Sequence, residues 1–172
     1  MDRDTERDFS AFVAARGAAL FRIAMALTGH RQQAEDLLQT VLARACRKWD
    51  RVRVGQPEAY LRRAMYHQQV SWWRRPAWSR ELSTDRLPEG VGADPTGQVD
   101  LHLALRAALN RLAPKHRAVL VLRYLEDLPD EQIADILGCK PTTVRSQAAR
   151  ALDRLRVLCP DLETLAIQEN RR

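Results

Sequence analysis

Three cysteines, three phenylalanines and seven glycines are few for a chain of 172 residues, and each shortage removes a class of protein from consideration. Cys46, Cys139 and Cys159 are too few and too scattered for a disulfide framework, and none stands at zinc-ligand spacing from another Cys or from His. They read as small buried apolar residues. His30, His67, His102 and His116 are equally dispersed, and there is no Gly-rich phosphate loop, Ser/His/Asp grouping or paired-carboxylate pattern. Nothing argues for an enzyme, a metal site or a cofactor. The longest uninterrupted aliphatic stretch, Ala118 to Leu122, is bounded by Arg117 and Arg123, far short of the roughly 20 apolar residues that cross a bilayer. Asp2, Arg3, Asp4, Glu6, Arg7 and Asp8 leave no apolar signal-peptide core. A cytoplasmic protein without membrane insertion is expected.

Charge and apolar residues, by contrast, are plentiful: 29% and 45% of the chain, the proportions of a soluble globular protein with one moderate core or two small ones. The formal charge of +6 is unevenly placed. Residues 1–75 and 101–159 are net basic, whereas 76–100 and the last thirteen residues are net acidic. Two basic bodies flanking an acidic link suit a polyanion, because cationic surfaces gain affinity by releasing its counterions.

Pro129 to Leu158 reads as a helix-turn-helix. Ile133, Ala134, Ile136 and Leu137 make the apolar face of a short helix, and Gly138 stands where a left-handed residue turns the chain. Pro141 suits a first helical position, and Val144, Ala148, Ala151, Leu152, Leu155 and Leu158 then recur at helical spacing. Thr142, Thr143, Ser146 and Arg150 fall roughly opposite them, flanked by Arg145 and Arg154, which leaves a polar, cationic ridge for solvent or a DNA groove. Lys140 and Pro129 occupy the two N-cap positions where Ser or Asp is usual; a lysine there can reach a phosphate.

The rest of the chain is also periodic, except in one stretch. Phe9, Phe12, Val13, Leu20, Ile23, Ala24 and Leu27 predict a first helix ending near Thr28-Gly29, and Ala34 to Trp49 a second from about Arg31 to Asp50. After a connection, Arg51 to Gln56, a third starts at Pro57 and runs to about Arg75, with Leu61, Ala64, Met65 and Trp72 inward. From Pro76 to Val99 the pattern stops amid Pro76, Pro88, Pro95 and three glycines, which predicts a linker. Periodicity returns at Asp100, breaks at Pro114 and resumes through Val119 to Leu125, for four helices in the second body. The third helix interleaves Tyr60, Tyr66, Trp72, Trp73 and, just beyond, Trp78 with Arg62, Arg63, His67, Gln68, Gln69, Arg74 and Arg75. Consecutive tryptophans cannot both enter one small core, so Trp72 or Trp73 is expected to be partly exposed, beside arginines suited to a single strand.

The arrangement resembles bacterial sigma factors of the extracytoplasmic-function type, which keep two globular regions, conventionally 2 and 4. "AEDLLQTVLARACRKWDRV" (Ala34 to Val52) looks like that family's core-polymerase-binding helix, and "PEAYLRRAMYHQQVSWWRR" (Pro57 to Arg75) like its promoter-melting helix. "LAPKHRAVLVLRYLEDLPDEQIADILGCKPTTVRSQAARALDRLR" (Leu112 to Arg156) is similar to region 4. The resemblance implies an all-α chain: a region 2 three-helix bundle over 1–75, a flexible linker over 76–99, a four-helix region 4 over 100–159, and a short tail over 160–172. It also implies binding to core RNA polymerase and promoter DNA, no chemistry of its own, and a place for an anti-sigma factor. Residue by residue, Asp36, Leu37, Gln39 and Thr40 match the polymerase-docking positions. Arg51 and Arg53, in the loop to Gln56, match a pocket for a flipped −10 base, and Arg63, His67, Ser71, Trp72 and Trp73 match the helix beside the melting point. Lys140, Thr142, Thr143, Arg145, Ser146 and Arg150 match the helix that enters the major groove at −35. Lys140, Gln147, His67 and Gln68 depart from the family's usual residues, so its base preferences do not transfer. The alternative is a stand-alone helix-turn-helix regulator with an N-terminal dimerisation or ligand-binding bundle, which leaves the Tyr/Trp/Arg helix unexplained. An adaptor that binds only protein would leave both basic surfaces without purpose.

Overall fold

The computed structural model describes residues 3–73 and 97–160, the side chains of 97–103 excepted, and every described element is helical or a turn. The chain divides into two compact units, Met1–Thr84 and Asp85–Arg172. Most of the expected linker, Trp78 and the tail beyond Pro160 lie outside the described residues.

In the first unit α1 (Arg3–Thr28), α2 (Arg31–Cys46) and α4 (Pro57–Trp73) pack on one another, and a one-turn helix α3 (Trp49–Val52) joins α2 to α4. Leu20, Ile23, Ala24 and Leu27 of α1 meet Ala34, Leu37, Val41 and Ala45 of α2 and Leu61 and Met65 of α4 in the core. The i, i+3, i+4 spacing of these residues places them on single helix faces. Gly29, at φ 78°, ends α1, and its N–H bonds the Met25 carbonyl at 2.8 Å. The Thr28 hydroxyl, fully buried beside it, donates to the Ala24 carbonyl at 2.8 Å. By length and composition α1 would pass for a membrane span, with an 18-residue window of mean hydropathy 1.5. That departs from the expectation drawn from uninterrupted stretches, because the apolar residues of α1 are distributed among arginines; its C-terminal half lies in the bundle core.

The second helix stops earlier than periodicity predicts, at Cys46 rather than Asp50. Lys48 leaves the helical region (φ −124°, ψ 18°), and the chain restarts as α3. The break directs Trp49 at α1, where its ring lies 5.0 Å from both Phe9 and Phe12 and its indole N–H donates to Asp8 Oδ2 at 2.9 Å. Burying this large ring while satisfying its N–H outweighs one more turn of helix hydrogen bonds.

The second unit holds α5 (Gly97–Asn110), α6 (Pro114–Leu120), a π-helical turn (Val121–Leu125), α7 (Asp130–Leu137) and α8 (Pro141–Leu158). The helix α5 starts three residues before the pattern resumes at Asp100. Ala108, Leu112, Leu120, Ala151, Leu155 and Cys159 form one buried cluster. Ala118 to Leu122 is buried throughout, as are Ile133, Ala134, Val144 and Ala148. The π turn was not legible as such: Glu126 N–H reaches the Val121 carbonyl at 3.0 Å, five residues back, and the wider turn rotates Tyr124 and Leu125 outward. Leu125, the last residue of the repeat read from the sequence, is therefore exposed. Of the cysteines only Cys159 is fully buried; Cys46 and Cys139 are half-buried at the ends of α2 and α7, where helix termini meet turns rather than core. Arg117 is buried in the core, which pushes its guanidinium down to about 10, and its Nη1 donates to the Asn110 carbonyl at 3.4 Å. It stays charged at neutral pH, favourably placed at the C-terminus of α5.

Candidate nucleic-acid interface

Gly138 adopts the left-handed conformation (φ 63°, ψ 46°), and Cys139 N–H bonds the Ala134 carbonyl at 3.0 Å. That turn delivers Lys140 extended and Pro141 as first residue of α8, neither α7 nor α8 having a side-chain N-cap bond. Val144, Ala148, Ala151 and Leu155 are buried, so Thr142, Ser146 and Arg150, four residues apart, form an exposed stripe on the opposite side. Lys140 and Arg154 are exposed as well, and Thr143 is half-buried. The Ser146 hydroxyl donates to the Thr143 carbonyl at 3.0 Å, leaving its lone pairs outward. Arg145 is exposed but engaged, its Nε 2.9 Å from Asp130 Oδ2.

In the first unit Arg63, His67 and Ser71 are exposed at four-residue intervals along α4, a second polar stripe. Partial desolvation of the ring, and secondly the charge of Arg63, hold His67 below the ordinary imidazole value, which favours the neutral form at pH 7. Trp72 and Trp73 are both half-buried, and the Trp73 indole N–H is buried without a hydrogen-bond partner among the described residues. Two clefts flank the exposed ring of Tyr60. One, of about 290 Å³, lies between α2 and α4 and is lined by Arg44, Tyr60, His67, Gln68 and Ser71. The other, of about 380 Å³, is lined by Lys48, Arg51, Val52, Gly55, Gln56 and Tyr60. On α2, Asp36 and Gln39 are exposed and Thr40 half-buried.

Two expected contact residues are placed otherwise. Leu37 is wholly buried in the bundle, since it shares the core stripe with Ala34 and Val41, and presents no side-chain surface on the outer face of α2. Arg53 turns towards α1 rather than into the Tyr60 cleft, because Asp8 and Asp50 draw its guanidinium to 3.9 and 3.4 Å. Sequence reasoning missed Arg44 as a cleft residue; its guanidinium donates to Gln68, twenty-four positions along the chain. Nothing in the local pattern marks such a pair. Asp130 was also missed, although an acid in the first turn of a helix is a visible signal.

Comparison with known proteins agrees with these two units. The family description "Sigma-70 region 2" matches residues 4–79, and "Sigma-70, region 4" matches 102–155. The chain is 38% identical over 168 residues to the RNA polymerase sigma-E factor of Streptomyces coelicolor, spanning 96% of this chain and 94% of that one. It is 33% identical over 153 residues to the ECF RNA polymerase sigma factor SigL of Mycobacterium tuberculosis, spanning 84% and 85%. The solved structure of the sigma factor RpoE from Bartonella quintana, in complex with the anti-sigma factor NepR, superposes with a TM-score of 0.62 at 29% identity, covering 88% of this chain and 96% of that one. The chain belongs to the extracytoplasmic-function group of sigma-70 RNA polymerase sigma factors.

Proposed function

We propose that this bacterial transcription initiation factor docks on core RNA polymerase with the outer face of α2, opens the −10 element along α4, and reads the −35 element with α8. The observation that carries this reading is the pair of polar stripes, Arg63/His67/Ser71 and Thr142/Ser146/Arg150, each exposed on a helix whose other side is buried. Asp36, Gln39 and Thr40 form the docking set. Arg51, in the Tyr60 cleft, faces a flipped base, and Trp72 and Trp73 stack beside the melted non-template strand, which offsets the few kcal/mol of unstacking. Lys140 and Arg150 hold phosphates of the −35 duplex, while Thr142, Thr143 and Ser146 approach base edges. Arg145 contributes through its terminal nitrogens, its Nε being occupied. The division of labour follows the chain: residues 1–75, an acidic linker over 76–99, 100–159, and a tail.

The factor works in the cytoplasm, where its template lies. A stand-alone helix-turn-helix regulator would leave the region 2 match without a role. Because the similar RpoE is bound by the anti-sigma factor NepR, an anti-sigma partner is proposed here too. Reconstitution with core polymerase, single-round run-off transcription and permanganate mapping of melted thymines test the reading. Promoter-dependent transcripts and a reactive −10 region are expected; no stable complex with core enzyme would overturn it.

A further inference from the structure

Arg51 and Arg53 stand either side of Val52, yet only Arg51 lines the Tyr60 cleft. Their difference originates in two carboxylates beside Arg53, Asp8 of α1 and Asp50 of α3. Asp8 accepts the Trp49 indole N–H at 2.9 Å and faces Arg53 Nη1 at 3.9 Å through the same oxygen. Asp50 accepts the Thr5 hydroxyl at 3.1 Å and faces Arg53 Nη2 at 3.4 Å, also through one oxygen. Trp49 and Thr5 are buried, which anchors the arrangement, whereas Asp8, Asp50 and Arg53 are about half exposed or more. Ion pairs so exposed contribute little to folding. What they decide is direction: Arg53 is drawn to α1, and the chain from Arg53 to Gln56 leaves α3 along the cleft, with Gly55 N–H on the Val52 carbonyl at 3.3 Å.

We infer that the first turns of α1 are a clasp for the loop from Arg53 to Gln56, with Asp8 as a positioning residue that keeps Arg53 out of the Tyr60 cleft and so makes the cleft selective for one nucleobase. The inference rests on the proposed role of that loop in taking a flipped −10 base. A base pocket discriminates through a few fixed polar groups, and a second mobile guanidinium at its mouth would bind the phosphate of any strand. Releasing Arg53 therefore exchanges selectivity for general affinity.

The test uses the full chain assembled with core polymerase. Single-round transcription is measured on promoters carrying each base at each −10 position, over a range of salt, for wild type, Asp8→Ala, Asp8→Asn and the double variant Asp8→Ala/Arg53→Met. Asp8→Ala is expected to narrow the ratio between best and worst base by roughly tenfold and to steepen the salt dependence by about one phosphate contact. Asp8→Asn, whose amide oxygen still accepts the Trp49 N–H, shows the same direction of change, and it carries the test if the alanine variant does not fold. The double variant returns the salt dependence to the wild-type slope. Equal loss on all promoters with the ratio and slope unchanged would mean a purely structural Asp8 and overturn the clasp. A discriminating wild type with equally discriminating variants would also overturn the clasp, while leaving the base pocket standing. A wild type indifferent to every −10 base would overturn the pocket and the clasp together.

Discussion

Arg145 Nε lies 2.9 Å from Asp130 Oδ2, while the other oxygen of that carboxylate receives Arg123 Nη1 at 3.1 Å. One largely buried acid at the start of α7 thus holds α8 to the π turn on which Arg123 lies. An arginine tethered at Nε keeps its two terminal nitrogens pointed outward, a geometry suited to a phosphate. Asp130→Asn is expected to raise the affinity for a scrambled −35 element, by removing negative charge near DNA, and to lower the ratio of cognate to scrambled about three- to tenfold. Competition between the two promoters for holoenzyme measures both; an unaltered ratio would show that the tether does not serve reading.

Gly138 turns the helix-turn-helix at φ 63°, a region any Cβ disfavours. Replacement by alanine should cost about 1 kcal/mol and lower the melting temperature of the second unit, whereas asparagine should be milder. Calorimetry of the full chain distinguishes the two, and equal melting of Gly138→Ala and wild type would contradict the strain.

Neighbouring positions on α2 should separate folding from docking. Leu37→Ala removes a side chain with no exposed surface and should cost about 2–5 kcal/mol of stability. Gln39→Ala, at an exposed position, should change stability by no more than about 0.5 kcal/mol yet weaken binding to core enzyme. Chemical denaturation beside a core-binding titration would reveal the reverse pattern if the assignments are wrong.

Acid should act on His67 in a definite direction. Its value in the fold is lowered from 6.5, so as pH falls the unfolded chain takes the proton first. Stability therefore declines from about the ordinary imidazole value down to the lowered folded value, and not above or below that window. His67→Gln should flatten this part of the profile in urea melts at stepped pH. Below the window the imidazolium joins Arg63 on the α4 stripe, and binding of a −10 single strand by holoenzyme should become tighter and more salt-sensitive.

Much of this organisation was legible in linear order because it depends on neighbours within one helix. The termination of α1 at Gly29, the start of α4 at Pro57, the left-handed Gly138 and the inward set Val144/Ala148/Ala151/Leu155 all follow from spacing and from backbone preferences of single residues. So did the exposed set on α8, as the complement of its buried face, whereas Arg63, His67 and Ser71 on α4 came from the family resemblance and their common exposed face from the structure. The premature end of α2 did not follow from spacing, since its cause is Trp49 meeting Phe9 and Phe12, forty and thirty-seven residues away in the chain. The π turn at Val121–Leu125 was hidden too, because one additional residue in a turn leaves the local apolar pattern almost unchanged.

Residue type and periodicity by themselves determined the helices, the division into two basic bodies and the polar, cationic face of α8. Tertiary structure alone decided which cations on those faces are available. Arg51 lines a cleft while Arg53 is held by Asp8 and Asp50, and Arg150 is outward while Arg145 is tethered to Asp130. A helical repeat places a side chain on a face, but the direction of a long guanidinium is set by whichever carboxylates the fold brings within a few ångströms, and Asp8 and Asp130 are distant in sequence from the arginines they hold.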